Sequence, residues 1–311
     1  MERQSLKNTI ASYYELTKPN VWWLLVFTAI GAMIRAGGIS GEFSIQTEII
    51  ILVILSVTCG TAGAEAISNY IDRDIDAIMK RTKNRPIPSG RIKASNSLIF
   101  GIILSIIAVS GTYAIDTINN STMPIVTFLM LFGLFDYVIV YSAYLKRKNF
   151  TNIILGGFSG AMPALIGYTA VSKIITVEGL LISALVFIWI PAHIWSLSLR
   201  FKEDYSKADI PMLPIIVDLK TSIRLIALSS IILIIFSLMI YQIGIIYLIA
   251  AVISGAIVLV ASIRLLIEPS QEKAWTLFKI SSPYLAVLFI AMILDVIINS
   301  LYLKRIFNYF S

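Results

Sequence analysis

Cysteine and histidine are almost absent from the sequence, because Cys59 and His193 are the only ones among its 311 residues. A single cysteine excludes an intrachain disulfide and a two-cysteine haem-attachment motif. A single histidine excludes a zinc site built from several imidazoles. A metal site in this chain must therefore use oxygen ligands, and such ligands favour Mg²⁺.

Charged residues are also scarce, at 14% of the chain against 58% hydrophobic residues, and the mean hydropathy is +0.85. Soluble domains carry roughly 25% charged residues, so the composition indicates an all-α integral membrane protein. Windows of about 20 apolar residues mark transmembrane helices. They predict nine spans, at residues 20–37, 48–68, 96–115, 123–144, 153–171, 177–198, 222–241, 243–263 and 282–303.

The basic residues predict the orientation in the membrane. All but four of the 25 Lys and Arg fall in segments that a nine-span chain with a cytoplasmic N-terminus places inside. The four exceptions are Arg35, Lys173, Lys304 and Arg305. No cleaved signal is expected, because Lys18 and Pro19 precede the first span. The net charge of +7 suits anionic lipid at the cytoplasmic face of the plasma membrane and requires no nucleic-acid partner.

Two polar loops, 69–95 and 199–221, follow spans 2 and 6. They suggest a single membrane domain over 1–311, built from two four-helix units, about 15–147 and 150–265, with a ninth helix appended. Internal repeats of this kind are common in membrane proteins. The outer loops are short, so function is expected at the inner, cytoplasmic face.

The first loop continues an acidic stripe that begins inside span 2. At 100° per residue, Glu65, Asn69, Asp72 and Asp76 lie within about 60° on a helix, and Asp74 points away. Two carboxylates one turn apart can hold Mg²⁺ that a substrate phosphate completes. The alternative is a helix end whose charges only anchor it at the interface, but charge inside a span is costly and usually functional.

Bases follow the stripe and could contact phosphate oxygens. They are Lys80, Arg81, Lys83 and Arg85. Pro86 and Pro88 are expected to stop the helix, so that these bases fold back over its end.

The second loop repeats this chemistry with looser spacing. Its charged residues are Arg200, Lys202, Asp204, Lys207 and Asp209, and alone they fit an ordinary solvated loop. His193 follows Pro191 inside span 6, where a lone histidine is usually structural. Asp136 and Asp295 are intramembrane acids, with either a function or a buried partner.

Four segments carry a resemblance to a known family. "NYIDRDIDAIMKRTKNRPIPSGRI" resembles the first aspartate-rich motif of the UbiA-type membrane prenyltransferases. "ELTKPNVWWLLVFTAIGAM", "YSAYLKRKNFTNIILGGFSGAMPALIGYTA" and "HIWSLSLRFKEDYSKADIPMLP" are similar to the branch of protoheme IX farnesyltransferases, or haem O synthases. The DxxxD motif is shared across the superfamily, whereas His-x-Trp followed by IPMLP is specific to the haem branch.

The resemblance implies nine helices around a central cavity with Mg²⁺ and diphosphate at its cytoplasmic end. It assigns Asp72 and Asp76 to the metal, with Asn69 beside them as a catalytic residue. Ser68 stands where many relatives have asparagine, so either Ser68 or Asn69 could reach the metal. The substrate-binding residues that it implies are Lys18, Arg81, Arg85, Lys146, His193, Lys202 and Asp204. Tyr141 is a further candidate from its place at the predicted inner end of span 4.

The implied reaction is transfer of a farnesyl group from its diphosphate to a vinyl group of haem B, with water addition. Prenyl diphosphate, haem B, the lipid bilayer and respiratory haem-synthesis proteins are the expected partners. Three alternatives stay open at this point: a prenyltransferase for a quinone precursor or lipid acceptor, a secondary transporter and a structural assembly protein. Clustering of the acids at one membrane face favours the enzyme over a transporter, whose charges would lie near the midplane.

Overall fold

Nine apolar helices long enough to cross a membrane dominate the computed structural model, which describes residues 6–38 and 45–310 and the side chains through residue 300. The nine spans predicted from hydropathy are thus confirmed for a multi-pass membrane protein, and the described residues contain no strand. Spans 1 to 9 are Pro19–Gly38, Thr47–Ile71, Ala94–Ile118, Ile125–Arg147, Asn152–Ser172, Val177–Arg200, Leu219–Ile243, Ile245–Ile267 and Gln271–Ser300. The side chains of Lys304 and Arg305, two of the predicted outer cations, lie outside the described residues.

The spans close into a ring. Each one packs against the next in sequence, and span 9 returns to span 1. Further contacts of span 1 with span 5 and of span 6 with span 9 cross the ring. One apolar core lies among spans 1–5 and a second lies mainly among spans 6–9. The C-terminal ends of spans 2, 4 and 6, which are their predicted inner ends, therefore lie within one bundle.

Glycine permits the closest helix approaches. A Cβ on Gly63 of span 2 would lie 2.8 Å from the carbonyl oxygen of Gly101 in span 3, and the reverse contact is equally short. A Cβ on Gly167 of span 5 would lie 2.1 Å from the Ala29 carbonyl oxygen of span 1. Small residues at such crossings let helix backbones pack directly in a membrane, where van der Waals contact drives association.

Three helical features differ from the prediction. Span 9 begins at Gln271, not at residue 282. Its first turns combine buried Ala274 and Leu277 with exposed charged residues such as Lys279, so a hydropathy window does not detect them. A helix Leu6–Leu16 precedes span 1. Span 4 changes into a π-helix from Asp136 to Tyr144, a wider winding that often marks functional sites.

The intramembrane acids cap neighbouring helices. Asp295 of span 9 accepts hydrogen bonds from the backbone N–H groups of Ile246 (3.1 Å) and Tyr247 (2.7 Å), at the start of span 8. Asp136 accepts 2.8 Å from Ser159 N, in the first turn of the helix that begins at Gly157. The first N–H groups of a helix lack intrahelical partners and favour negative charge. Of the two predicted roles, the geometry favours buried pairing for both acids.

Replacing Asp295 with alanine is expected to destabilise the protein by about 1–3 kcal/mol, because two buried N–H groups lose their acceptor. Thermal unfolding in detergent measures the effect. Asp218→Ala is the control, because Asp218 also caps a helix, span 7, through Thr221 N (2.9 Å) but lies in the exposed part of the chain. An Asp295→Ala protein no less stable than Asp218→Ala would contradict the tertiary cap.

Candidate active site at the inner ends of spans 2, 4 and 6

Asp72 and Asp76 lie on a buried face of one nearly continuous helix. Hydrogen bonds run from Asp76 N to Asp72 O and from Asp72 N to Ser68 O, both 2.8 Å. Asp72 itself leaves helical dihedrals (φ −87°, ψ 4°), which divides span 2 from a short helix, Arg73–Ile78. Asp72 is 1% exposed and Asp76 is 3% exposed, whereas the Asp74 side chain is 61% exposed. Helical periodicity predicted this division.

The short helix ends at Ile78, and the expectation that it runs to Pro86 was wrong. Met79 is already extended (φ −73°, ψ 128°). The hydroxyl of Thr82 then donates to the carbonyl of Asp76 at 2.9 Å, which satisfies one of the last acceptors of the helix. The chain therefore turns back seven residues before the proline, and the turn brings Arg85 over the acidic face.

Each buried carboxylate of the stripe has its own base. Lys146, at the inner end of span 4, forms an ion pair with Asp72. Arg85 Nη1 contacts both carboxylate oxygens of Asp76, at 2.9 and 2.8 Å. Lys18 Nζ lies 2.5 Å from Glu65 Oε2. These three bases come from separate parts of the sequence, so the fold assembles a compact array of alternating charge.

The two bases of the array that lie outside the membrane spans have pKa values shifted in opposite directions. Burial lowers the pKa of the Lys18 ammonium, although Glu65 opposes the shift. Burial also disfavours the Arg85 charge, but the ion pair with Asp76 outweighs it and raises the pKa of that guanidinium. The Arg85 guanidinium therefore keeps its charge, and the array presents fixed positive charge at that position to any anion that enters it.

The acidic residues fit a divalent cation completed by substrate. Asp72 Oδ1 is buried without a hydrogen-bond partner, whereas Oδ2 accepts from Ser68 (3.2 Å) and Lys146. An unsatisfied buried carboxylate oxygen is costly, and coordination of a cation would satisfy it. No group of three or more His, Cys, Asp or Glu side chains that could hold a metal occurs among the described residues. Two aspartates therefore need further oxygen ligands from substrate and water, as Mg²⁺ sites usually do.

Ser68, not Asn69, contacts the first aspartate. The Ser68 hydroxyl donates to Asp72 and accepts from the Ser142 hydroxyl at 3.1 Å. The Asn69 amide nitrogen instead donates to Leu16 O (2.9 Å) and to Glu65 O (2.8 Å). Asn69 therefore holds the N-terminal helix against span 2, and a role for it at the metal stays a prediction.

The second polar loop meets the first through Asp204. Its Oδ2 accepts from the backbone N of Arg81 at 3.0 Å, and Asp204 is buried at 7% exposure. The Arg81 guanidinium lies 5.3 Å from the Phe201 ring centroid and 3.4 Å from the Tyr205 hydroxyl. Lys202, two residues before Asp204, is half-buried and pairs with no carboxylate of the described chain. The predicted second acidic wall thus contributes one buried aspartate, while Asp209 is exposed.

The π-helix of span 4 supplies two tyrosines to the array. Tyr137 donates to Glu65 Oε1 at 2.8 Å, and its ring lies 5.5 Å from that of Tyr141. Lys146 Nζ lies 5.8 Å from the Tyr141 ring centroid. Tyr141 was predicted from the sequence and Tyr137 was not, because the extra residue per turn of a π-helix changes which side chains share a face.

His193 lies in a stack of aromatic rings between spans 6 and 9. Trp189 and Phe278 flank its imidazole with centroids at 4.2 Å on each side. Its Nδ1 is 2.7 Å from Ser281 Oγ, and Nε2 has no hydrogen-bond partner in the part of the chain that the structure describes. His193 is about two turns from the inner end of span 6, a depth comparable to that of Glu65 in span 2.

Several polar groups near these residues had no signal in the sequence. Trp195 Nε1 and both polar side-chain atoms of Asn152 are buried and unpaired. Ser142 and Ser281 are buried serines like many others in the chain, and only their contacts distinguish them. An apolar groove of about 380 Å³ lies under the N-terminal helix and is lined by Tyr13, Cys59 and Phe100, and none of its lining residues belongs to the acidic array. The predicted central cavity stays a prediction.

Comparison with known proteins identifies similar chains over almost the whole length. Residues 24–293 match the UbiA prenyltransferase family. A protein of Cenarchaeum symbiosum (strain A) called Protoheme IX farnesyltransferase 2 is 44% identical over 310 residues, which covers 95% of this chain and 98% of the relative. The Protoheme IX farnesyltransferase of Desulforudis audaxviator (strain MP104C) is 40% identical over 301 residues, 94% of this chain and 91% of the relative.

Solved structures share the fold at lower identity. One, described as digeranylgeranylglyceryl phosphate synthase, superposes with a TM-score of 0.73 at 22% identity and covers 93% of this chain and 99% of that one. Another, a UbiA homolog from Archaeoglobus fulgidus bound to GPP and Mg²⁺, has a TM-score of 0.60 at 16% identity and covers 90% of this chain and 99% of that one. At these identities the likeness concerns the fold alone.

Proposed function

The chain belongs to the UbiA prenyltransferase family, and from this premise we propose that it is a haem O synthase. It transfers a farnesyl group from farnesyl diphosphate to a vinyl group of protohaem IX, with addition of water, and releases diphosphate. The observation that carries the proposal is identity of 44% and 40%, over nearly the full length, to proteins called protoheme IX farnesyltransferase. The DxxxD motif supports prenyl transfer, and the His193 region supports haem as the acceptor.

The buried array suits a diphosphate leaving group. Asp72 and Asp76 would hold Mg²⁺, which supplies Lewis-acid charge at the diphosphate oxygens when bound. Solved relatives described as bound to GPP or DMAPP with Mg²⁺ support this cofactor for the family. Lys146, Arg85 and Lys18 then contribute positive charge from positions that the fold fixes in advance. Preorganised charge of this kind stabilises the anion that forms as an allylic C–O bond breaks.

The carbon chemistry requires no protein nucleophile. The electron pair of the vinyl group forms the new C–C bond to C1 of the farnesyl group, while the C–O bond to diphosphate breaks with its electrons. Water adds its oxygen to the resulting cation next to the porphyrin and gives up a proton to the departing diphosphate. The balance is haem B, farnesyl diphosphate and water to haem O and diphosphate. The chain's apolar surroundings would exclude other water until the C–C bond has formed.

We further propose that the reaction takes place at the cytoplasmic face of the plasma membrane. The support is the excess of Lys and Arg in the segments that a nine-span topology places inside. The acidic array lies at that same end of the bundle, where a water-soluble diphosphate leaves and a lipid-soluble prenyl chain enters.

Product analysis tests the proposal directly. Purified protein incubated with haem B, Mg²⁺ and prenyl diphosphates of increasing length is expected to give a porphyrin that is heavier by one farnesyl group and one hydroxyl group. Chelation of Mg²⁺ should abolish the product. If the porphyrin stayed unchanged with every donor while a quinone precursor or a glycerol-phosphate lipid was prenylated, the acceptor would be that compound and not haem. Transport of a substrate into vesicles without any prenylated product would exclude the enzyme.

A further inference from the structure

The hydrogen bonds of Ser281 determine which nitrogen of His193 carries the proton. The Ser281 hydroxyl lies 2.8 Å from the carbonyl oxygen of Phe278, one turn earlier in span 9, and 2.7 Å from His193 Nδ1. A serine hydroxyl has one proton to donate. The Phe278 carbonyl can only accept, so the proton goes there, and the serine oxygen then accepts from His193 Nδ1–H. This arrangement places a proton in both contacts of the serine oxygen. If the serine donated to Nδ1 instead, the buried contact between the serine oxygen and the Phe278 carbonyl oxygen would contain no proton.

The His193 imidazole ring has neighbours on both faces and at its Nδ1 edge, and only its Nε2 edge has no hydrogen-bond partner among the described residues. Trp189 and Phe278 stack on its two faces, with interplanar angles of 22° and 24°. Trp189 Nε1 also donates to the Ser281 carbonyl oxygen at 2.7 Å, so spans 6 and 9 are joined by two hydrogen bonds at this level. Nε2 is at the opposite edge from Nδ1 and, among the described residues, meets no donor. With the proton on Nδ1, Nε2 presents a free lone pair.

We propose that Ser281 is a positioning residue, which holds His193 as its Nδ1–H tautomer so that Nε2 can ligate the iron of bound haem. The inference rests on the proposed function, because haem is the acceptor there. A neutral imidazole nitrogen is a common axial ligand of haem iron, and His193 is the only histidine in the chain. A hydrogen bond from the second ring nitrogen fixes the ring and strengthens it as a donor, as partners of metal-bound histidines do elsewhere.

Haem binding by the purified full-length protein tests the inference apart from activity. Wild type, Ser281→Ala and His193→Ala are titrated with haem, and the absorption spectrum and the iron–histidine stretching band of the ferrous form are recorded. Ser281→Ala is expected to weaken haem binding by about 10- to 100-fold. It should also lower the stretching frequency, because the imidazole loses its hydrogen bond. His193→Ala should lose the band altogether, and added imidazole should restore it.

Two further variants separate positioning from packing. Ser262→Ala is the matched control, because Ser262 is a buried helical serine whose hydroxyl bonds only to a carbonyl of its own helix, Val258 O at 2.9 Å. Ser262→Ala should leave the haem spectrum unchanged. Ser281→Thr keeps the hydroxyl and should recover most of the affinity. If Ser281→Ala fails to fold, Ser281→Cys replaces the oxygen with a poor acceptor of similar size and should show the same frequency shift.

The outcomes distinguish this inference from the proposed function. A haem spectrum of Ser281→Ala identical to that of wild type, or an iron–histidine band that survives in His193→Ala, would overturn the inference while farnesylation of haem continued. A wild-type protein that neither binds nor modifies haem would overturn both. A weaker, shifted haem complex in Ser281→Ala with Ser262→Ala unaffected would establish Ser281 as the positioning residue.

Discussion

Replacing Asp72 or Asp76 with asparagine is expected to lower the rate of prenyl transfer by about 10³-fold, the magnitude typical for loss of a main electrostatic contribution to a transition state. Asparagine keeps the size of the side chain and one oxygen but removes the charge that would hold Mg²⁺. Both aspartates are buried and paired with bases, so each variant also leaves a cation, Lys146 or Arg85, without its partner. The measurement is the rate of porphyrin farnesylation at saturating Mg²⁺, with the folded fraction determined from thermal unfolding.

Asp74→Asn is the matched control for this experiment. Asp74 belongs to the same short helix but faces outward, where both nitrogens of the Arg147 fork bind it at 2.7 and 2.6 Å. That hydrogen bonding lowers the pKa of Asp74 to about 2. The carboxylate is therefore charged throughout the assay range, and its pairing weakens only as the pH falls through that value. Asp74→Asn removes the same charge as the test variants, yet it should retain the wild-type rate. Full activity of Asp72→Asn and Asp76→Asn would contradict the metal site.

The sequence was sufficient to predict the spans and the acidic face, since both depend on local periodicity. A run of about 20 apolar residues has few alternatives to a transmembrane helix, and helical geometry alone separates Asp72 and Asp76 from Asp74. The same locality explains the errors at boundaries. Span 9 continues into amphipathic turns that begin at Gln271, and the helix after Asp72 ends at Ile78 through a turn that no proline specifies.

Local sequence patterns could not predict which distant side chains pair in the folded protein. Nothing in the sequence couples Lys146 to Asp72 or Lys18 to Glu65, which are 74 and 47 residues apart. The roles of Asp136 and Asp295 were equally open until the helix starts they cap could be seen. The contact of His193 with Ser281 spans 88 residues, and a serine in an apolar helix carries no distinguishing feature. A resemblance can name residues for such sites, but their contacts come only from the fold.

Replacing Lys146 with methionine should have the second largest effect, and the size of its effect on stability should depend on Mg²⁺. Without its ammonium, Asp72 becomes a buried charge with no cationic partner, which costs about 3–5 kcal/mol. Mg²⁺ would supply that missing charge, and it would bind without having to displace a lysine. Thermal unfolding is therefore expected to show a less stable Lys146→Met protein in chelator, and a Mg²⁺-dependent rise in Tm that exceeds the rise in wild type. Prenyl transfer should stay about 10²-fold slower even with Mg²⁺, because the diphosphate loses a preorganised cation.

Arg147→Met separates this effect from a general loss of charge at the end of span 4. Arg147 is the next residue, and its guanidinium pairs with exposed Asp74 rather than with the buried array. An exposed ion pair contributes at most about 1 kcal/mol, so Arg147→Met should show a small loss of stability that Mg²⁺ does not restore. If Lys146→Met responded to Mg²⁺ no more than Arg147→Met, Lys146 and the metal would not share Asp72. A larger response confined to Lys146→Met would mean that the lysine ammonium and the metal compete for Asp72.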